Sequence, residues 1–307
     1  MKVLVTGGAG FIGSHIVDSL IEAGNQVVVI DNLSSGKLEN VNPRAVFYKA
    51  DIRDGLVDGI FESERPDAVC HLAAQINVRV SVDDPVLDAR INVEGSLNIL
   101  QSCVRHGVKK FVFASSGGAI YGEQDHFPAR EDHPKKPMSP YGITKLTVEH
   151  YLYFYHEVHG LGYTALRYAN VYGPRQDPHG EAGVVAIFTL KMLKGETPTI
   201  NGDGSQTRDY VYVGDVVRAN VLALGSGYNG SFNVGTGVEA SVNDLYRLIK
   251  NATGYKGDKL HVPAKAGEQM RSVIDYGLIK SELGWEPRMA LEDGLGHTVE
   301  YFREKIK

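Results

Sequence analysis

The sequence predicts an α/β fold: a doubly wound parallel sheet followed by a smaller C-terminal α/β lobe. Three observations predict it. Short β-branched runs alternate with amphipathic segments through roughly the first half of the chain. The opening strand–turn–helix–strand unit turns on a cluster of glycines. At 307 residues the chain is long enough for a large core and two lobes. Residues 1–168 are assigned to the first domain and 169–307 mainly to the second, with a stretch near 205–235 interleaving with the first.

Lys2 to Thr6 reads as a buried strand, Gly7, Gly8, Gly10 and Gly13 as a turn, and Ile12, Ile16, Val17, Leu20 and Ile21 as the apolar stripe of a helix. Gly24 and Asn25 stop that helix, and Gln26 to Ile30 forms a second buried strand ending on Asp31. Gly8, Gly10 and Gly13 satisfy G-x-G-x-x-G, in which a bare backbone and a helix N-terminus receive a pyrophosphate. Asp31 stands where a carboxylate accepts hydrogen bonds from an adenine-ribose diol and repels a 2′-phosphate. The expected cofactor is therefore NAD rather than NADP.

Asn32 to Pro43 is a polar loop beside the expected adenosine site, Ala45 to Lys49 a third strand leading to Asp51 and Ile52, and Asp54 to Glu64 the helix that returns to the strand Ala68–Leu72. His71-Leu-Ala-Ala74 falls at a carboxyl strand end, where open α/β sheets bind ligands. A helix begins at Asp84-Pro85 and runs to Gly107, with apolar residues spread around it. One side should pack on the sheet, which leaves the other for a second subunit and predicts a homodimer. Asn92 is its polar exception. Lys110 to Ser116 is the fifth buried strand, delivering Ser115 and Ser116 to the ligand side.

Ser139 then caps a long helix, with Pro140 in its first turn, that runs to about Gly160 and carries Tyr141 and Lys145 on one face. Tyr-x-x-x-Lys recurs at Tyr246/Lys250, Tyr255/Lys259, Tyr276/Lys280 and Tyr301/Lys305, so the spacing alone selects nothing. Only Tyr141 and Lys145 follow a serine-tipped strand of the nucleotide-binding sheet. The competing reading is a surface pair of Lys145 with Glu149. A phenol used as a base near neutrality needs its pKa lowered by roughly three units, about 4 kcal/mol of phenolate stabilisation. An ammonium one turn away, with a positively charged nicotinamide, can supply it.

Beyond Arg167 the chain crosses toward the second lobe. Thr199 to Tyr212 reads as a hairpin-like turn between short strands, with Arg208 suited to a diphosphate, and Asp215 as the cap of the next helix. Phe232 to Gly237 and Ser241 introduce another short strand and a capped helix to about Lys250. His261 to Asp275 is the last informative segment.

The glycine turn Thr6–Gly13, His71–Ala74, the serine-tipped strand before Tyr121-Gly122, Tyr141/Lys145 and Arg167-Tyr-Ala-Asn170 together resemble the extended short-chain dehydrogenases/reductases, particularly the nucleotide-sugar epimerases and dehydratases. The resemblance covers almost the whole chain. It implies a Rossmann domain that holds NAD through Gly7, Gly10, Phe11, Ile12 and Gly13, through Asp31, Asn32, Asp51 and Ile52, through Leu72, Ala73 and Ala74, and through Tyr141, Lys145 and Tyr168. It implies Tyr141 as base, Lys145 as its support, and a serine on the sugar hydroxyl, either Ser115 or Ser116 with Ser116 favoured; Asn92 matches the helix asparagine that supports the active-site helix, with an ordinary buried, hydrogen-bonded Asn as the alternative. Substrate contacts implied are Ser116, Tyr141, Asn170, Arg208, Lys265 and Ser272. Lys265 replaces the family's usual arginine, and Ser272 stands where some members carry a bulky tyrosine beside the sugar.

The dehydratase branch normally has an Asp-Glu pair where this chain has Gly117-Gly118. The resemblance thus implies a 4-epimerase acting on a UDP-sugar, exchanging UDP-glucose and UDP-galactose through a transient 4-keto sugar. A related 4,6-dehydratase or decarboxylase, or a non-catalytic NAD sensor, are the alternatives. Composition sets the outer limits: 32 basic against 37 acidic residues give no excess positive charge for nucleic acid or an anionic membrane. No apolar run spans a bilayer, and Met1 leads straight into a core strand, so the cytoplasm is expected. Cys70 and Cys103 lack metal-ligand spacing and read as packed thiols, with no metal expected.

Overall fold

The computed structural model describes residues 1–178, 183–264 and 269–306. The first half alternates as the sequence requires: β1 (Lys2–Thr6), α1 (Phe11–Glu22), β2 (Gln26–Asp31), β3 (Val46–Lys49), α2 (Leu56–Glu64) and β4 (Ala68–His71). Then follow α3 (Val78–Asp83), α4 (Pro85–Ala89), α5 (Gly95–Arg105), β5 (Lys110–Ser116), α6 (Gly117–Ile120), α7 (Pro140–His159) and β6 (Gly162–Tyr168). The second half contributes β7 (Asn170–Tyr172), α8 (Val184–Leu193), β8 (Thr199–Asn201), β9 (Thr207–Tyr212), α9 (Val213–Leu224), β10 (Gly230–Val234) and β11 (Glu239–Ser241). It ends with α10 (Val242–Thr253), β12 (Leu260–Val262), β13 (Arg271–Ser272), α11 (Gly277–Leu283) and α12 (Leu291–Ile306).

Seven parallel strands form the main sheet in the order β10-β6-β5-β4-β1-β2-β3. The order reverses between β1 and β4, which opens a crevice at their carboxyl ends. Val3, Val5, Val29, Val112 and Leu166 bury one face under α1 and α9, while Leu4, Val28, Val69, Phe111 and Phe113 bury the other under α2, α5 and α7. Apolar side chains at every strand position are what a sheet covered on both faces needs. From the second half of the chain, β10 pairs with β6 and α9 packs on α1. A smaller lobe collects Tyr172, Phe188, Ile200, Leu245, Ile249, Leu295 and Val299 around a second core.

Three expectations need correcting. Thr199 to Tyr212 is not a hairpin, because β8 pairs with β12 while β9 pairs with β7, β11 and β13. The turn between them closes on itself, with Gly202 and Gly204 left-handed and Asp203 Oδ1 accepting from Ser205, and it releases the two strands to distant partners. The helix from Pro85 is interrupted by a π-turn at Arg90–Glu94 before it continues as α5.

Asp215 also differs from the expected cap, since Tyr212 holds the N-cap position of α9. Its buried carboxylate instead anchors the C-terminal segment: the main-chain N–H groups of Arg288 and Met289 each donate to Oδ2 at 3.0 Å, and Arg218 donates to Oδ1 at 2.6 Å. The Trp285 indole donates to its carbonyl at 2.9 Å. Replacing Asp215 by Ala strands the Arg288 and Met289 N–H groups and the Arg218 guanidinium, while the carbonyl that receives Trp285 remains. The free energy of unfolding in urea should fall by about 2–4 kcal/mol, and a loss below about 0.5 kcal/mol would remove Asp215 as the anchor.

Candidate active site

At the crevice the backbone is packed against itself. Gly7 has φ of 71°, and a Cβ there would lie 2.7 Å from the main-chain nitrogen of Ala73; a Cβ on Gly13 would lie 2.2 Å from the carbonyl oxygen of Gly7. Gly10 occupies the N-cap of α1 with no side chain to cap it, so the first N–H groups of the helix face the turn's open side. Phe11 and Ile12, both half-buried, begin that helix. Asp31 braces the turn: Ala9 N donates to Oδ2 at 2.9 Å and Leu33 N to Oδ1 at 2.8 Å. Thr6 Oγ1 accepts from Leu72 N and Ala73 N, both at 3.2 Å, fixing the strand end that leads to Ala74. A bare turn, an uncapped helix start and a carboxylate at the second strand end fit a dinucleotide.

Next to it, His71 lies 2.7 Å from Thr6 Oγ1 and 2.9 Å from Ser96 Oγ, and burial, with the Lys145 charge, pushes its pKa down to about 3. It is a neutral core histidine. Asp51 accepts 2.7 and 2.8 Å bonds from the Arg53 fork and a 2.8 Å bond from Asn32, which hold its carboxyl well below the usual range. Ile52 is buried beside it. Tyr168 turns its ring into the core, where its hydroxyl is bonded to Asn220, so only its main chain faces the strand end.

Tyr141 and Lys145 open α7. Ser139 Oγ accepts from Gly142 N at 3.1 Å, Pro140 is the first helical residue, and Ser81 Oγ accepts the Tyr141 N–H at 3.2 Å. The Lys145 ammonium is buried 5.8 Å from the centroid of the Tyr141 ring and donates to Ala114 O at 2.8 Å. Burial pulls its pKa down to about 8, against the opposing pull of Asp88 and Glu149. Glu149 is occupied elsewhere: it forms a buried 2.6 Å pair with Arg167 and accepts from Ser115 at 2.5 Å and Ser231 at 3.1 Å. The surface pairing of Lys145 with Glu149 is therefore not made. Ser115 and Ser116 point to opposite faces of β5. Ser115 is buried against Glu149, whereas half-buried Ser116 caps α6 by accepting from Ala119 N at 3.3 Å.

Beneath this helix start lies a polar network, of which the resemblance announces Asn92 alone. The fully buried Asp88 carboxylate accepts from Thr144 Oγ1 at 2.8 Å, Gln75 Nε2 at 2.8 Å and Asn92 Nδ2 at 3.1 Å. Asn92 in turn pairs with the main chain of Gln75 at 2.8 and 2.9 Å and donates to Thr144 at 3.3 Å. The π-turn carries Asn92, so the helix widens where its side chains tie α7 to the end of β4. Asp88 and Asn92 sit four residues apart on one helical face, the one available hint.

The small lobe supplies the opposite wall. Asn170 on β7 pairs with Tyr210 of β9, and Ser272 on β13 pairs with Arg208 of β9, so three neighbouring strands bring Asn170, Arg208 and Ser272 together. Gly118 faces them: a Cβ placed on it would lie 3.7 Å from Asn170 Oδ1 and 3.9 Å from Ser272 Oγ, with nothing else within 4 Å. Lys265 lies outside the described residues. Among the described residues no cluster of His, Cys, Asp or Glu could hold a metal ion, and no helix is long and apolar enough to cross a membrane. Both thiols are buried, and burial pushes Cys70 up to about 12.

Residues 3–235 match the model of the NAD dependent epimerase/dehydratase family. Over 301 residues the chain is 50% identical to a protein described as a putative UDP-glucose 4-epimerase from Methanocaldococcus jannaschii, covering 98% of each. Its fold superposes with a TM-score of 0.98 on the crystal structure of UDP-glucose 4-epimerase with UDP-glucose from Thermotoga maritima, at 55% identity and 100% coverage of both chains. With the Thermus thermophilus UDP-glucose 4-epimerase complex with NAD, the TM-score is 0.94, the identity 48% and the coverage 99% of both.

Proposed function

The chain belongs to the NAD dependent epimerase/dehydratase family, and on that premise we propose that it is a nucleotide-sugar 4-epimerase, interconverting UDP-glucose and UDP-galactose through a transient 4-keto sugar. One observation carries the reading: Tyr141 and a buried Lys145 stand together at the crevice, while Gly117 and Gly118 leave that wall without an acid. A dehydratase needs a group to protonate the departing hydroxyl, and Gly117 and Gly118 supply none.

Gly7, Gly10, Phe11, Ile12 and Gly13 would hold the dinucleotide diphosphate; Asp31 and Asn32 its adenine ribose; Asp51 and Ile52 the adenine; and Leu72, Ala73, Ala74, Tyr168, Tyr141 and Lys145 the nicotinamide end. NAD is favoured over NADP because Asp31 would repel a 2′-phosphate. Bound there, the dinucleotide supplies reversible hydride acceptance. Tyr141 takes the C4 hydroxyl proton as the carbonyl forms and gives it back as the carbonyl is reduced, with Ser116 bonded to the same oxygen. The Lys145 ammonium favours the phenolate over the phenol by charge. Asn170, Arg208 and Lys265 hold the diphosphate while the sugar turns, so its two faces are presented in succession without net oxidation.

Incubation with UDP-glucose and NAD, with the sugars resolved by chromatography, tests this directly: UDP-galactose is expected, and a 4-keto-6-deoxy product in its place would make the enzyme a dehydratase. Tyr141→Phe should lower kcat at least a hundredfold with little change in KM. Near-normal turnover would take Tyr141 out of the mechanism.

A homodimer is proposed on the apolar side chains that α3, α4 and α7 leave exposed, Val82, Val86, Ile143, Tyr153 and Phe154 among them. Sedimentation equilibrium at micromolar concentration should return twice the chain mass, and a monomer rejects the assignment. Gly118 and Ser272 leave the sugar wall small, so UDP-N-acetylglucosamine should be accepted as well as UDP-glucose. Ser272→Tyr should cut kcat/KM for the acetylated sugar at least tenfold more than for UDP-glucose, as overpacking of about 1–3 kcal/mol would do. Equal losses on both substrates would reject the gate.

A further inference from the structure

Two opposite charges are buried next to each other under the catalytic helix, and neither has a formal counter-ion in hydrogen-bond contact among the contacts described above. Asp88 on α4 is fully buried and accepts only from neutral donors, Thr144 Oγ1, Gln75 Nε2 and Asn92 Nδ2. Lys145 on α7 is 4% exposed and donates its hydrogen bond to a carbonyl, Ala114 O. Thr144, the residue before Lys145, bonds Asp88 directly. An isolated buried charge is costly, so each needs the other.

We propose that Asp88 is the counter-charge of Lys145, a positioning residue that keeps the lysine an ammonium and so keeps Tyr141 a competent base. The proposal rests on the reading of Tyr141 and Lys145 as the catalytic pair. The remaining charged and titratable groups around Lys145 do not take the role. Glu149, on its own helix, is committed to Arg167 of β6; His71, on β4, is neutral and near the lysine's charge only; Tyr141 is the group being served. Against the lowering by burial, the Asp88 charge raises the Lys145 pKa most, with a smaller contribution from Glu149. Turnover should therefore decline at alkaline pH as Lys145 loses its proton, and Asp88 sets where that happens.

Asp88→Asn keeps the size and much of the hydrogen bonding but removes the charge. The alkaline limb of the kcat–pH profile should move to lower pH by about one unit, the scale of a lost neighbouring charge in a buried site. Asp88→Glu, which restores a carboxylate, should return the limb toward its wild-type position. Thr144→Val cuts the bond but leaves the charge, and should lower kcat with the limb in place. A lower kcat in Asp88→Asn with an unmoved limb would make Asp88 a structural brace only, and overturn the proposal.

A stability cycle reads the same pair without any activity. In urea near pH 8, Lys145→Met should be stabilised by adding Asp88→Asn, because the second change removes a carboxylate that the first left unmatched; in the wild-type background Asp88→Asn should destabilise. If the double variant is no more stable than Lys145→Met alone, the pairing is refuted, even should Asp88→Asn by itself fail to fold. If the cycle shows coupling but Tyr141→Phe keeps its turnover, the pair stands and the catalytic reading falls.

Discussion

The whole site depends on one close approach of main chain to main chain. β1 and β4 can run side by side into the crevice, with α1 starting between them, only because Gly7 and Gly13 lack a Cβ where Ala73 N and Gly7 O already stand. From that contact follow the exposed N-terminus of α1 and the position of the Leu72–Ala74 segment, since Thr6 ties both strand ends through one hydroxyl. A methyl group at Gly13 would have to open the turn itself, because what it meets is backbone rather than the end of a flexible side chain. The glycines are thus steric requirements of the strand order reversal.

Under the proposed function, chemistry and recognition come from different parts of the fold. The helix α7 brings Tyr141 and Lys145 against the ends of β4 and β5, and is held there by Ser81, Asp88 and Asn92 on one side and by Arg167 on the other. The substrate wall instead comes from the edges of short strands in the small lobe, where Arg208 and Ser272 are register partners. Because the wall is built on a separate small sheet, a change in side-chain size there alters what fits without loosening the hydrogen bonds that fix the helix. Gly118 joins the two, being the residue of the large sheet's side that looks onto Asn170 and Ser272.

Most of the large sheet was legible because its signals are local. Buried parallel strands write themselves as β-branched runs, helices as stripes, and the Ser139-Pro140 start as a cap, and each of these appears in the structure where the sequence put it. The Thr199–Tyr212 hairpin was misread because turn residues report that a chain turns, whereas pairing is decided by partners distant in sequence, here β12 and β13. For the same reason Asp88 was missed: its partner Thr144 is 56 residues away, and a carboxylate in an amphipathic helix ordinarily reads as a solvated face. Which of Ser115 and Ser116 is buried turns on one fact the alternation of a strand cannot supply, namely that the face shared by Phe113 and Ser115 is the one covered by Glu149.

That covering explains why α7 can carry two buried charges with opposite fates. Lys145 and Glu149 are one turn apart, a spacing at which they would normally pair. Glu149 is instead taken by Arg167, whose planar fork matches both carboxylate oxygens at 2.6–3.2 Å, with Ser115 and Ser231 satisfying the rest. Burial opposes the Arg167 charge, yet the Glu149 bonds outweigh it and the guanidinium stays charged at any pH the protein meets. Lys145, without that bond, donates to a carbonyl, and burial pulls its pKa down to about 8. Had the lysine taken Glu149, its ammonium would be drawn along the helix, away from the Tyr141 ring and fixed in charge. Arg167 is therefore as much a condition of the proposed site as Lys145 is: by occupying the Glu149 carboxylate it leaves the Lys145 ammonium beside the Tyr141 ring.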